Sequence, residues 1–179
     1  MATDIKVKYG TALSSFGATT ALDSLASSST NVAGWTTNVQ DNTTNLFLDV
    51  LVSAKFTTSA SALTAGKSIK VYAYATPDNS ATMSAGVPDL FSSGTEGSVG
   101  TATVHDEEQR DAGMRFLWAG VVDAGGANEV FVMPPTSLAS AFGGFVPAYW
   151  ALWVVQDTAQ ALHTTGNAIY GTPILAQSV

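Results

Sequence analysis

A histidine beside carboxylates is the arrangement in this sequence best suited to proton transfer or cation binding, and it occurs where His105 precedes Asp106, Glu107, Glu108 and Asp111. Neighbouring acids on a loop are ordinarily solvated, and neither the ligand spacing of a zinc protease nor that of an EF-hand is present. His163 precedes Thr164-Thr165-Gly166, and a general base needs a positioned partner, so it reads as a surface side chain. With two histidines and no Gly-x-Ser-x-Gly elbow, a serine hydrolase has little support. The acids are too scattered to single out a glycosidase pair. Gly94, Gly97 and Gly100 imitate a phosphate cradle, yet no strand precedes them, no lysine follows and Glu96 would repel phosphate. These features predict no catalytic residue, no metal site and no cofactor, and an enzyme is not expected.

Aromatic side chains are the stronger signal: Trp118, Phe142, Phe145, Tyr149, Trp150 and Trp153. Aromatics dominate cores as well as interfaces. In an extended segment, however, Trp150 and Trp153 point to opposite faces, so both cannot enter one core. One of them is expected to meet another subunit or sheet, and the six residues form the predicted protein interface.

The elements that must position them are strands. Ile5, Val7 and Tyr9 alternate with Lys6 and Lys8, a short strand with one wet face. Between Leu46 and Phe56, apolar residues at every second position predict a long half-buried strand, and Ser68 to Ala75 repeats the pattern. Val32 to Val39, Met114 to Val122 and Glu129 to Met133 follow, the last ended by Pro134-Pro135. Tyr149 to Val155 is apolar on both faces and reads as an inner strand, while Asn167 to Tyr170 and Ile174 to Ala176 are separated by Gly171-Thr172-Pro173. The expected fold is all-β: a jelly-roll-type antiparallel β-sandwich of about eight strands forming one domain over residues 1–179. Two segments lie outside the pattern, an arm-like or loop segment over residues 10–31 and a long acidic loop insertion over 76–113. Helix is scarce, with one turn expected over Thr136 to Ala141.

Charge narrows the partners. The chain carries a net charge of −7 with seven Lys and Arg, which argues against nucleic acid, whose phosphates need a basic face. The charge is uneven. Up to Ala75 five lysines meet four aspartates, net +1, whereas from Thr76 onward two arginines meet ten acids, net −8. No cysteine occurs, so disulfides and thiolate metal sites play no part. Met1 to Gly10 has no apolar run that could form the core of a secretory signal, and Phe142 to Val155, interrupted by Gly143, Gly144 and Pro147, is too short for a membrane helix. Synthesis in the cytoplasm without membrane association is expected.

The order Ile5-Lys6-Val7-Lys8-Tyr9, then Leu22 and Leu25-Ala26-Ser27-Ser28, then Val32-Ala33-Gly34, resembles the opening of structural proteins from tailed bacteriophages. Asp41-Asn42-Thr43-Thr44-Asn45-Leu46, Gly66-Lys67-Ser68-Ile69 before Val71-Tyr72, Trp150-Ala151-Leu152 and Gly166-Asn167-Ala168-Ile169-Tyr170 continue the likeness, which leaves out residues 76–113. The resemblance implies a capsid decoration, or cement, protein: a jelly-roll module on the outer surface of the head, bound to the major capsid protein and self-associated, commonly as a homotrimer. Two other readings stay open, a tail, fibre or receptor-binding virion module and a carbohydrate-binding or enzymatic sandwich.

Overall fold

Alternation of apolar and polar side chains predicts an extended segment with one dry face, and in the computed structural model the segment Asp49–Thr57 is a strand that buries every second residue. The structure describes residues 5–14, 16, 22–76, 90–94, 99–123 and 125–178. In chain order these form β1 (Ile5–Tyr9), β2 (Leu13–Ser14), β3 (Ala33–Thr36), β4 (Gln40–Asp41), β5 (Asp49–Thr57), β6 (Ser68–Thr76), β7 (Phe91–Ser93) and β8 (Gly100–Val104). Helix α1 (Glu107–Gly113), β9 (Arg115–Val121), β10 (Val130–Ser137), helix α2 (Leu138–Ala141), β11 (Tyr149–Gln156) and β12 (Ala168–Ser178) follow.

All pairings are antiparallel, and the strands make two sheets consistent with a β-sandwich. One sheet runs β1-β12-β5-β10, with β2 also on β12; the other runs β7-β8-β3-β11-β6-β9, with β4 also on β11. The main core lies between them: Val50, Val52, Ala54 and Phe56 of β5 face Ile69, Val71 and Ala73 of β6 and Trp150, Leu152 and Val154 of β11. A second apolar cluster covers the opposite face of the larger sheet, where Tyr72, Tyr74, Ala151, Trp153 and Val155 meet Leu90, Phe91, Val104 and Met114.

Several sequence expectations need correction. The described residues contain more strands than the eight predicted, because β2, β4 and β7 are two or three residues long and too short to display a period, and β8 falls within the stretch expected to be loop. Leu46 and Leu48 lie outside β5 and are exposed, not on its dry face. In β9, a bulge opposite Val71 and Tyr72 skips Leu117, pairing Trp118 with Val71 and Phe116 with Tyr72. Phe116 and Trp118 therefore face opposite sides although strict alternation would put them together.

Pro134-Pro135 does not end β10. The strand lies at a sheet edge, and a register shift between Met133 and Thr136 absorbs the two missing N–H groups. Pro173 likewise stays inside one continuous β12. Its carbonyl accepts from Gly10 N at 2.8 Å, so its donor-less nitrogen faces the end of β1 rather than β5.

The described part of residues 10–31 is mostly loop that packs on the rest of the chain. Phe16, Leu22 and Leu25 are buried in the main core, and Ser28 N donates to Gln156 O at 2.7 Å. Residues 15 and 17–21 lie outside the described residues. β7, β8 and α1 fall within the stretch 76–113 expected to be a loop insertion, of which 77–89 and 95–98 lie outside the described residues. Asp106 caps α1 by accepting from Gln109 N at 2.7 Å, and Glu107 and Glu108 occupy the first turn, where the helix dipole favours acids. The acidic run is thus a helix start.

Candidate protein interface

Trp150 and Trp153 do take opposite faces of β11, and both are 0% exposed within this single chain. Trp150 meets the ring of Phe16 edge-on at 5.6 Å in the main core. Trp153 lies in the second cluster, 5.8 Å from Tyr72. Neither has surface to give to another subunit, which corrects their assignment as interface anchors. On the second face of β11, Leu90, Phe91 and Met114 pack in one cluster with its side chains, and Arg110 lies over Tyr72 of that cluster. The Arg110 guanidinium lies 5.3 Å from the Tyr72 ring centre, and its Nη1 donates to Asn31 O at 2.8 Å. A stretch read as loop supplies the cover expected from a partner.

The other four aromatics separate. Trp118 is half-buried and stacks on Phe56 at 6.1 Å; Phe142 is half-buried against the main core; Tyr149 is half-buried between Asp41 and Thr76. Phe145 alone keeps most of its surface free, at 62% exposed.

The larger exposed apolar surface comes from residues that the sequence assigned to a half-wet strand. Ile5, Val7 and Tyr9 are 76%, 69% and 69% exposed, and all five residues of β1 are exposed on both faces. Residues 5 to 9 pair with 178 to 174 of β12, forming a ribbon at the sheet margin. Gly10 N donates to Pro173 O at 2.8 Å, which makes the adjoining 8:175 and 6:177 pairs the hydrogen-bonded ones. The N–H and C=O groups of Ile5, Val7 and Tyr9 consequently point to the opposite, open edge. Among the described residues no strand pairs there.

This surface continues at one end of the sheet. Leu48 N donates to Ile174 O at 2.8 Å, so the loop bearing exposed Leu46 and Leu48 abuts the ribbon. Asn42 ties that loop to the one carrying Phe145: its Oδ1 accepts from Phe47 N at 2.7 Å, and its backbone N donates to Ala148 O at 2.7 Å. Leu46 holds φ at +51°, a conformation costing a branched residue ~1–2 kcal/mol. At the foot of the loop Asp41 accepts from Thr43 Oγ1 at 2.6 Å and Thr43 N at 2.8 Å, hydrogen bonds that hold its carboxyl below the ordinary value. On the outer face of the smaller sheet Val130, Val132 and Tyr170 are also exposed.

A shallow cleft of about 300 Å³ lies on the other sheet, lined by Tyr72, Asp111, Met114 and Phe116. Its carboxylate is already engaged, accepting from Arg110 Nε at 2.8 Å. Burial raises the Tyr72 phenol above its ordinary pKa of 10, against the opposing pull of Arg110, with Asp111 and Glu107 adding to the rise. In the folded chain the phenol then keeps its proton to higher pH than in the unfolded chain, so stability present below pH 10 declines as pH rises through the folded pKa. Tyr72→Phe is expected to flatten the alkaline limb of a stability-versus-pH curve while leaving the neutral region nearly level. An unchanged alkaline limb would assign the loss to other groups.

His105 is exposed beside the cap of α1, and His163 Nδ1 accepts from Thr165 N at 3.2 Å. Among the described residues no three His, Cys, Asp or Glu side chains are grouped to hold a metal ion, and no helix is long and apolar enough to cross a membrane. Compared with known protein families, curated proteins and solved structures, the chain matches none.

Proposed function

We propose that this chain is a structural virion protein of a tailed bacteriophage, a jelly-roll capsid decoration protein that binds the outer surface of the major capsid lattice and stabilises the head. The observation that carries this reading is an exposed edge strand, unpaired on its outer side among the described residues, with an apolar row, Ile5, Val7 and Tyr9, on a fold whose own core is filled. Natural sheets cover or blunt such edges, and Lys6 and Lys8 blunt this one against a second copy while leaving it open to an acidic strand. Bridging neighbouring capsid subunits strengthens a shell because opening the lattice must also break the added contacts. The sequence resemblance to phage structural proteins points the same way. Self-association as a homotrimer belongs to the same proposal, with the exposed Val130, Val132 and Tyr170 as its surface in place of the buried tryptophans.

A second reading draws on the cleft. Exposed Phe116 beside Asp111 offers stacking and hydrogen bonding of the kind that holds a sugar, as in a fibre or receptor-binding module. Adding purified protein to heads that lack it separates the two. Decoration predicts saturable, stoichiometric co-sedimentation and heads that open at higher temperature. Failure to bind heads, with retention on tails or on immobilised glycans, would favour the second reading.

A further inference from the structure

We infer that the open edge of β1 is a docking site for an extended segment of another protein, in which apolar and acidic residues alternate. The inference rests on the proposed function only in taking that segment to belong to the capsid lattice. Three backbone N–H and three C=O groups, those of Ile5, Val7 and Tyr9, face the open edge and can extend the sheet by one strand. Side chains directly opposite each other in a ladder share a face. An incoming strand therefore sets one row of its residues beside Ile5, Val7 and Tyr9 and the other beside Lys6 and Lys8. The first row matches apolar side chains and the second matches Asp or Glu.

The same lysines argue against a second copy of this chain as the occupant. Two-fold antiparallel pairing of β1 with itself, centred on Lys6, Val7 or Lys8 with both faces aligned, sets lysine directly opposite lysine. Nor does the chain supply a suitable acidic strand from its own acid-rich stretch, because Glu107, Glu108 and Asp111 are wound into α1. Charge thus favours an acidic partner over these self-pairs.

The test uses the full chain and two labelled synthetic peptides, one alternating valine with glutamate and one alternating valine with lysine, followed by fluorescence anisotropy. Wild type is expected to prefer the acidic peptide. Val7→Pro removes a donor from the open edge but none from the β1–β12 ladder, so it should weaken binding at least ~10-fold with an unchanged thermal melt. The double variant Lys6→Glu and Lys8→Glu should shift preference towards the basic peptide by about tenfold. Binding unaffected by Val7→Pro, a preference indifferent to the lysines, or self-association of wild type that Val7→Pro abolishes would each overturn the inference. Head binding measured in parallel keeps the two proposals apart. Heads decorated normally by Val7→Pro would sink the edge-docking inference alone, and peptide recognition by a wild type that ignores heads would sink the decoration reading alone.

Discussion

Trp153→Ala is expected to destabilise the isolated chain by about 3–5 kcal/mol, and Trp150→Ala by a similar amount. Each removes a side chain that is 0% exposed and leaves a cavity between layers that close from the same chain. A loss of that size is a large part of the ~5–15 kcal/mol that holds a typical domain folded. Neither indole N–H has a hydrogen-bond partner, so Trp153→Phe should be milder, since it loses contact area and no hydrogen bond. Urea unfolding measures both. Were Trp153 an anchor for a neighbouring subunit, its replacement would leave the free chain's midpoint unmoved and impair assembly instead.

Gln156→Ala should cost about 2–4 kcal/mol through a different route, the breaking of a buried polar network. Gln156 is 0% exposed at the end of β11. Its Nε2 donates to Leu25 O at 3.0 Å and Gln160 O at 2.8 Å, while its Oε1 accepts from Thr158 N at 2.9 Å and Thr158 Oγ1 at 2.7 Å. Every capacity of the amide is used. Truncation leaves Thr158 N buried without an acceptor and loosens the segment that carries Leu22 and Leu25 over the core. Amide hydrogen exchange should rise first around residues 22–28 and at Thr158. Gln156→Glu keeps the shape but aims a carboxylate at two carbonyls, and it is expected to be at least as damaging. Uniform exchange across the sandwich after either change would remove the network from this role.

The sheets were legible where burial alternates. The period of β5 and the doubly apolar β11 identify central strands, and β11 does lie inside its sheet, whereas β6, expected to be half-buried, buries Tyr72 and Tyr74 on its second face as well. What covers β11 was not legible, because the cover comes from residues 90–91 and 107–114, where Gly, Ser and charged residues carry no strand period. α1 is only seven residues long, and its start is marked mainly by the Asp106 cap with Glu107 and Glu108 behind it. That signature is short and sits among charged residues that equally suit a solvated loop. The exposed edge was half legible. Alternation in Ile5 to Tyr9 is the same whether the apolar row faces a core or solvent, and local sequence holds no information about which. Phe145 shows the converse case. Its neighbours Phe142 and Val146 are packed, and only its place beyond Gly143 and Gly144, both at positive φ, turns it outward.

An electron cryomicroscopy reconstruction of the phage particle proposed to carry this chain bears most directly on how the fold is used. The account predicts density for the sandwich on the outer surface of the head, with the Ile5–Tyr9 edge continued by a strand from the underlying shell protein. Bare heads, or a bound sandwich whose β1 edge faces solvent, would contradict it.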